Sequence, residues 1–503
     1  MTIEITRRDW LRGTTALSAA AAFSSLAPHQ LLAATDPYAR LDATAQASLV
    51  AKGQVSPLEL VDAAIRRIDQ LEPQLNALIS MGFEQARTRA QSGDLPDGPF
   101  KGVPYLIKDL IDYPGLPMLS GSQMTTGNMS TYRSPYIDRT DGTGLIVLGK
   151  STTPEFGFIP STEPVFDAPT PNPWNTGHSA GGSSGGAAVA VASGMVPFAH
   201  ASDGGGSIRI PASCCGLFGL KPSRGRQPKS RTYDRTPDLS VEHCLSRSIR
   251  DSARLLAATE RQEEKALLAP TGFVEGPTTV RRTIGWSPRT LEQSYMHADV
   301  KAAIENTALL CRDLGHTLVE IELPFSESDF IRQFKTVWAA GAAGIVGRYK
   351  EQTGRIPDET VLEPFTLAFA NYFYGLPTEA LPAAFAFLTR VERQVHSLFG
   401  EIDLYLSPVL STPPPALGHL APTVSFEILW GRLETYAPHT PWQNVAGVPA
   451  MSVPLSKSRE KLPIGSQFTA GLGREDMLLQ LAYELEQATP WAHQWPSLSS
   501  ASL

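Results

Sequence analysis

The strongest constraint on the fold of this chain is a pair of glycine- and serine-rich runs that lie close together. The first run is GGSSGG at residues 181–186, and the second is DGGGSIR at residues 203–209. Glycine lets the backbone turn tightly, and a glycine run can direct several amide N–H groups toward one point. With 41 glycines and 41 prolines among 503 residues, the composition favours many tight turns without indicating disorder. The two runs therefore predict tight loops that present serine side chains.

Hydrophobic patterning around these runs alternates between helices and short buried strands. Residues 41–95 have helical spacing, and Ser56-Pro57-Leu58-Glu59 supplies an N-cap, a first-turn proline and an early acid. Residues 325–400 are predicted to be mostly helical and to form a wall over the core. The other predicted strands are VPYLIKDLI, GLIVLGK, IGWSP, DLYLSPVL, AGVPAMSVPL and PIGSQFTAG, and the other predicted helices are AAVAVASG, 243–260, 297–315 and EDMLLQLAYELEQAT.

This alternation predicts one layered α/β domain over residues 35–492, with residues 493–503 as a disordered tail. The N-terminal residues 1–34 are expected to lie outside that domain. They combine the twin-arginine pattern Thr6-Arg7-Arg8-Asp9-Trp10-Leu11 with the modestly apolar run GTTALSAAAAFSSLA. This order is typical of a twin-arginine signal peptide and predicts a periplasmic or secreted protein without a stable membrane anchor.

Charge and cysteine content exclude several classes of function. Only 18% of the residues are charged and the net charge is -7, whereas a nucleic-acid binder shows clustered lysine and arginine. The four cysteines form no C-x-x-C pair and lack zinc-site spacing, so they are predicted to be small buried hydrophobes. The sequence predicts no nucleic-acid partner, no cofactor and no metal.

Two short motif matches suggest other chemistry, but neither has the required context. GLIVLGKS at 144–151 fits a P-loop expression, yet its middle residues are those of a strand, which does not cradle phosphate. GGSSG at 181–185 fits a nucleophile elbow, yet the preceding PNPWNTGHSA is predicted to be a loop. No later histidine lies in a sequence pattern that indicates a catalytic role, so neither motif is favoured.

A much longer pattern resembles the amidase signature family. The segment GGSSGGAAVAVASGMVPFAHASDGGGSIRIPASCCGLFGLKPSRGR is similar to the family's Gly/Ser block nearly throughout, and GPFKGVPYLIKDL is similar to its lysine segment. GKSTTPEFG, PNPWN, SRSIRDSARLL and NVAGVPAMSVPL are similar as well. The resemblance spans roughly 41–490, and within the family it is greatest to 6-aminohexanoate cyclic dimer hydrolases. It implies an α/β/α fold, in which helices cover both faces of a large mixed β-sheet.

The resemblance also implies a Ser-Ser-Lys triad. Ser207 would be the acyl-forming nucleophile, Ser183 the proton relay and Lys108 the base. A serine hydroxyl needs a neighbouring base, and lysine serves as one only when its pKa falls toward neutrality through burial or positive neighbours. Lys108 ends the apolar run VPYLI, which agrees with a buried position.

The glycines before Ser207 suit the other requirement of amide hydrolysis, an oxyanion hole. Gly204, Gly205 and Gly206 are predicted to direct amide N–H groups at the developing negative charge. Asp203, Arg209 and Ser184 are predicted to support these loops, and Asp109 is interpreted as structural.

The expected substrate is a small to medium, apolar or aromatic amide. Residues 310–445 are expected to determine this choice, because they hold many aromatic side chains that could line a tunnel. Carbamates or esters on the same site stay open, as do an amidotransferase-type subunit, a catalytically inactive binding protein and a homodimer. The export signal argues against the amidotransferase, because that activity is cytoplasmic.

Overall fold

Helices and strands alternate along the chain in this computed structural model, which describes residues 36–228, 230, 238–293 and 295–502. The predicted signal peptide, residues 1–34, lies outside the described residues. The strands are β1 Leu78–Met81, β2 Pro104–Lys108, β3 Ile146–Ser151, β4 Pro171–Asn172, β5 Asn175–Ser179, β6 Phe198–Asp203, β7 Phe218–Lys221, β8 Val241–Ser246, β9 Thr283–Trp286, β10 Thr317–Glu320, β11 Leu404–Pro408, β12 Ala450–Lys457 and β13 Pro463–Ala470. The helices are α1 Ala43–Ala51, α2 Pro57–Leu75, α3 Phe83–Gln91, α4 Pro135–Gly142, α5 Gly185–Ala192, α6 Arg209–Cys215, α7 Ile249–Thr259, α8 Pro288–Leu291, α9 Ala298–Asp313, α10 Glu327–Thr353, α11 Pro364–Tyr374, α12 Ala380–Leu398, α13 Phe426–Tyr436, α14 Pro441–Ala446 and α15 Glu475–Ala488.

A mixed β-sheet forms the centre of the molecule. Among the described residues, eight strands pair in the order β10-β9-β11-β13-β12-β7-β8-β6. Strand β9 runs parallel to β10 and β11, whereas the other pairs are antiparallel. A smaller sheet, β1-β3-β2, places β2 beside the edge strand β6. This arrangement confirms the predicted α/β class with a large mixed sheet.

The two faces of the central sheet differ in polarity, because successive side chains of a strand point to opposite faces. Phe218 and Phe468 lie in the apolar core beneath α7, α9 and α15. The side chain that follows or precedes each of them along the strand is smaller or polar, as at Gly219 and Gln467. Helix α6, which follows Ser207, packs on this second face, because a Cβ at Gly219 would lie 2.7 Å from the Cβ of Ala212.

The predicted start of α2 is confirmed in detail. The Ser56 hydroxyl accepts from the Glu59 amide, and the Glu59 carboxylate accepts from the Ser56 amide, so the two residues form a capping box. Pro57 occupies the first turn of the helix, where its missing N–H costs nothing. Local sequence therefore determines this helix boundary.

Two local predictions were wrong. The predicted helix 243–260 is divided, because residues up to Ser246 belong to β8 and the helix begins only at Ile249. Pairing with β6 and β7 outweighs the helical spacing of the first residues. PNPWNTGHSA, predicted to be a loop, contains the two-stranded ribbon of β4 and β5, which is separate from the central sheet.

The C-terminal tail also differs from the prediction of disorder. Over residues 493–502 it lies against the body of the protein: the Ser500 amide donates to the Ser193 carbonyl, and Ser499 is buried. The Arg247 guanidinium stacks 3.7 Å above the Trp495 ring, which anchors the tail by a cation–π contact. None of the helices in the described part of the chain is both long and apolar enough to span a membrane.

Candidate active site

Lys108 ends strand β2 and is fully buried. Its Nζ donates to Ser183 Oγ at 2.8 Å and to the Ser202 carbonyl at 3.4 Å. The Ser184 hydroxyl donates to the same carbonyl at 3.3 Å. A predicted base and a predicted relay are therefore in direct contact, although they are 75 residues apart in the chain.

Ser183 lies just before helix α5, whose N-cap is Ser184. The Thr153 hydroxyl donates to the Ser183 carbonyl at 2.8 Å and so fixes this backbone from the segment that follows β3. Strand β5 precedes the GGSS run, so a strand, a turn and a helix do follow one another here. The partner of the serine is a lysine, however, and not the histidine that a nucleophile elbow requires.

Ser207 lies in the turn between β6 and α6 and is half-buried. It lines a cavity together with Gly157. A Cβ on Gly157 would lie 2.9 Å from Ser183 Oγ, so Ser183 sits directly behind this part of the cavity wall. No hydrogen bond joins Ser183 to Ser207 among the described residues, and Gly157 links them only in that it lines the cavity with Ser207 and lies next to Ser183.

The glycine run before Ser207 is held by Asp203. The Gly206 amide donates to Asp203 Oδ1 at 2.7 Å, and the Ile208 amide donates to Oδ2 at 3.2 Å. The Gly206 amide is thus already engaged, whereas Gly205 lines the cavity beside Ser207. The oxyanion role of Gly204, Gly205 and Gly206 stays a prediction, and the engaged Gly206 amide is the least available of the three donors.

Asp203 and Arg209 form a fully buried ion pair beneath this turn. Two guanidinium nitrogens of Arg209 donate to the two carboxylate oxygens, each at 2.9 Å. Burial alone would raise the pKa of Asp203, but the charge and hydrogen bonds of Arg209 outweigh burial and lower that pKa below its ordinary value. Asp203 is therefore ionised at neutral pH, and the supporting role predicted for this pair agrees with its contacts.

Sequence reasoning missed three amide side chains that complete this support. Gln443 and Asn444 from α14 and Gln467 from β13 accept from Arg209 at 3.0, 2.7 and 2.8 Å. The Asn444 amide group also donates to the carboxylate and carbonyl of Asp203. Asn444 begins a segment quoted for the resemblance and Gln467 lies in a predicted strand, but nothing local in either segment indicates an arginine partner.

A second missed group lies behind Lys108. The Lys108 amide donates to Nδ1 of buried His200 at 3.2 Å, and Nε2 of His200 lies 3.0 Å from the Glu242 carboxylate. Because a backbone amide can only donate, Nδ1 is unprotonated and the ring proton resides on Nε2, directed at Glu242. Burial lowers the pKa of His200, which favours this neutral form. The pair fixes the backbone of the strand that carries the predicted base.

Two more buried lysines flank the site without contacting Ser183. Lys221 donates to the Pro222 carbonyl, and burial, helped by nearby Arg209, lowers its pKa to about 7. Lys150 on β3 lies 3.6 Å from Asp109 and also donates to the Ile111 carbonyl. Burial raises the pKa of Asp109 to about 6 despite Lys150. The structural interpretation of Asp109 agrees with these contacts, and Lys150 lies in a strand, as expected from the rejected P-loop match.

The cavity has an aromatic and aliphatic wall. Of the aromatic residues considered for a substrate tunnel, Trp338 and Trp430 line it, whereas Phe365, Phe369 and Trp442 lie in the core. The described residues contain no group of three or more His, Cys, Asp and Glu side chains that could hold a metal ion.

Together, the fold and the site define an α/β protein in which a buried lysine contacts a serine hydroxyl next to an apolar cavity. The family model described as Amidase matches residues 59–479, and the chain belongs to this family. It is therefore an amidase, an enzyme that hydrolyses amide bonds.

Individual relatives agree over nearly their whole lengths. A putative amidase AmiC of Mycobacterium tuberculosis is 38% identical over 458 residues, covering 91% of this chain and 96% of that protein. The 6-aminohexanoate-cyclic-dimer hydrolase of Paenarthrobacter ureafaciens is 33% identical over 493 residues, covering 92% and 97%. A solved structure of 6-aminohexanoate cyclic dimer hydrolase superimposes with a TM-score of 0.83 at 32% identity, covering 92% and 99%. The resemblance inferred from the sequence is thus confirmed.

Proposed function

We propose that this amidase cleaves a small to medium, apolar or aromatic amide through a covalent acyl-enzyme, with Ser207 as nucleophile, Ser183 as proton relay and Lys108 as base. The observation that carries this proposal is the 2.8 Å hydrogen bond between Lys108 Nζ and Ser183 Oγ in a buried site that adjoins the cavity of Ser207. Burial disfavours an ammonium ion, which supports a neutral Lys108 able to accept a proton.

In the first half-reaction, Ser207 Oγ attacks the carbonyl carbon of the substrate. Its proton passes to Ser183 Oγ, and the proton of Ser183 passes to Lys108 Nζ. The carbonyl oxygen becomes an oxyanion that accepts from the glycine-run amides, chiefly those of Gly204 and Gly205. Each such donor contributes about 3 kcal/mol to the stability of the transition state.

Collapse of this intermediate breaks the C–N bond. Ser183 donates its proton to the leaving nitrogen and regains one from the Lys108 ammonium, which leaves an acyl ester on Ser207. In the second half-reaction, water attacks the ester carbon and gives its proton to the relay. The ester bond then breaks, Ser207 regains its proton and the carboxylic acid leaves.

The apolar wall of the cavity supports the proposed substrate class. Its lining includes Phe158, Phe334, Trp338 and Trp430, so an apolar or aromatic group beside the amide would be desolvated there. A panel of anilides, peptide amides, carbamates, esters and cyclic amides, run on purified protein, tests this class. Faster turnover of charged aliphatic amides than of aromatic ones would contradict it.

The nucleophile is tested by labelling with a fluorophosphonate and mapping the modified peptide by mass spectrometry. We expect the label on Ser207, and we expect Ser207→Ala to lose both labelling and hydrolysis. Ser213→Ala, on the following helix, is a matched control, because the Ser213 hydroxyl accepts from the Gly465 amide at 2.8 Å and the residue does not line the cavity. Equal labelling of wild type and Ser207→Ala would contradict the assignment.

We also propose that residues 1–34 direct export by the twin-arginine route, so that the enzyme acts in the periplasm or outside the cell. The order of paired arginines, an apolar run and small residues supports this proposal.

A further inference from the structure

Apart from Ser207 itself, the side chains that line its cavity are apolar with one exception. Helix α10 contributes Ile331, Phe334 and Trp338, which lie on one helix face because of their spacing. Among the lining residues, all within the described part of the chain, Glu434 of α13 is the only charged one. A single carboxylate in an apolar substrate cavity calls for a functional explanation. A ligand without a cationic group would displace water from the carboxylate and offer no partner in return, which is costly in free energy.

Glu434 is held in place by the preceding turn of its own helix. The Trp430 indole Nε1 donates to Glu434 Oε1, and both residues line the cavity. A carboxylate has about four acceptor sites, so this single hydrogen bond leaves most of its capacity for a ligand. The indole therefore orients the carboxylate without satisfying it.

The surroundings of Glu434 already accommodate one alkylammonium group. Lys335 Nζ lies 4.3 Å from the ring centre of Tyr372, 4.6 Å from that of Trp430 and 5.1 Å from that of Phe426. Such contacts stabilise a cation over aromatic faces. Lys335 and Glu434 form no ion pair within 4.0 Å among the described residues, although the charge of Glu434 is near enough to oppose the lowering of the Lys335 pKa by burial. The ammonium group lies over the rings, and the Glu434 carboxylate lies on the cavity wall.

We infer that Glu434 binds a primary ammonium group of the substrate, so that the enzyme prefers apolar or aromatic amides that also carry an amine. Amino-acid amides with an apolar side chain and amides of diamines belong to this class. The inference rests on the proposed function, because it requires the cavity of Ser207 to be the substrate cavity. A neutral substrate of the same shape would leave the Glu434 carboxylate desolvated and unpaired, and this penalty provides the discrimination.

The inference is tested with two pairs of substrates that differ only in the amine. Phenylalanine 4-nitroanilide is compared with 3-phenylpropanoic acid 4-nitroanilide, which places the amine on the acyl side. N-(4-aminobutyl)benzamide is compared with N-pentylbenzamide, which places it on the leaving side. In at least one pair, we expect wild-type kcat/KM to be about tenfold higher for the amine, as a hydrogen bond to a charged group provides.

Glu434→Gln should remove this preference by lowering kcat/KM for the amine about tenfold, while the neutral partner changes little. Retained turnover of the neutral partner also shows that the variant folds. Glu427→Gln is the matched control, since this exposed residue makes the same charge change on the same helix outside the cavity.

Two results would overturn the inference: no preference for the amine in either pair, or an equal loss for both members of a pair in Glu434→Gln. The second result would assign Glu434 a structural role through Trp430. Labelling of Ser207 by the fluorophosphonate separates this failure from that of the proposed function. If Ser207 labels normally, only the inference about Glu434 fails; if it does not label, both fail.

Discussion

At the scale of single residues, the site depends on lysines whose surroundings differ although all are buried. Lys108 contacts a serine hydroxyl, whereas Lys150 contacts the carboxylate of Asp109. An ammonium beside a carboxylate is stabilised in its charged form, and an amine beside a hydroxyl is suited to proton transfer. Burial lowers the pKa of Lys150 and the charge of Asp109 opposes this effect. The contact partner, and not burial alone, therefore distinguishes a proposed base from an ion-paired lysine.

Lys108→Ala is therefore expected to lower kcat about 10²- to 10⁴-fold, as removal of a general base does. Raising the pH should not restore the rate, because no amine remains to accept the proton from Ser183. Steady-state kinetics over a range of pH measure this loss. A variant with the full wild-type rate would remove Lys108 from the mechanism.

Lys150→Met is the matched comparison, since it removes a buried lysine from the neighbouring strand. It leaves the Asp109 carboxylate without its ion pair, which is expected to cost about 3–5 kcal/mol of unfolding free energy. Urea unfolding measures this cost, and the folded fraction should keep the wild-type kcat. A loss of rate as large as that of Lys108→Ala would show that the two lysines act together.

At the scale of elements, the turn between β6 and α6 positions Ser207, the proposed nucleophile. Gly206 has φ of +130° in this turn, and a Cβ there would lie 2.3 Å from Thr440 Oγ1 and 2.6 Å from Ile210 Cδ1. Thr440 also donates to the Gly205 carbonyl at 2.7 Å. The turn is therefore clamped between its own helix and the segment before α14.

Gly206→Ala is expected to displace Ser207 and to lower kcat/KM about 100-fold, because small misplacements of reacting groups are costly. Gly142→Ala is the control, because no atom lies within 4 Å of a Cβ at that position and its φ is ordinary. Kinetics and fluorophosphonate labelling of both variants check the prediction. Full activity of Gly206→Ala would show that the turn tolerates a side chain.

Helix α11 is joined to the segment after β3 by buried carboxylates. Glu363, its N-cap, accepts from the Val165 amide at 2.7 Å, and the Glu363 amide donates to Glu155 at 3.0 Å. Burial, reinforced by the charge of Glu155, raises the pKa of Glu363 to about 8. An unfolded glutamate has a pKa of about 4.3, so the folded chain holds this proton more tightly than the unfolded one.

The sign of the resulting pH dependence follows from this difference. The contribution of protonated Glu363 is complete below about pH 4.3 and is lost as the pH rises through about 8. Glu363→Gln, whose amide oxygen can still accept from Val165, should therefore raise Tm by about 2 °C or more at pH 9 and change it little at pH 5. Glu359→Gln, at an exposed neighbouring position, should raise Tm at neither pH. Equal effects of the two variants at pH 9 in thermal melts would contradict the prediction.

At the scale of the whole molecule, the sheet and the helical wall together create the cavity. Lys108 comes from the small sheet, Ser207 from the edge of the large sheet, and Trp338 and Glu434 from helices far along the chain. No segment contains the complete site. We therefore expect substrate choice to depend on the helical wall and bond cleavage to depend on the residues at the sheet edges.

The predicted twin-arginine signal concerns the whole chain, because it would direct export of the complete protein. The double variant Arg7→Lys, Arg8→Lys should leave the enzyme in the cytoplasm of a host with a twin-arginine pathway, whereas the wild type should reach the periplasm. Arg66→Lys alters an exposed arginine of the internal pair in α2 and should not affect export. Activity assays on cell fractions measure the distribution, and equal distribution of all three proteins would contradict the signal.

The amino-acid sequence by itself determined the α/β class, the start of α2, the family, and the residue types of the proposed triad. Each depends on local patterns or on an ordered motif that the linear chain displays. Local patterns failed for residues 243–246 and for the tail, because pairing and packing with distant segments outweigh local preference there.

Only the tertiary structure decided which side chains support and flank the site. His200 accepts from the backbone amide of Lys108, Gln467 accepts from Arg209, and Glu434 lines an apolar cavity. Each of these arrangements joins segments that are distant in sequence. A histidine, a glutamine or a glutamate has no local signature of such a role, because its role depends on the partner that folding brings within hydrogen-bonding distance.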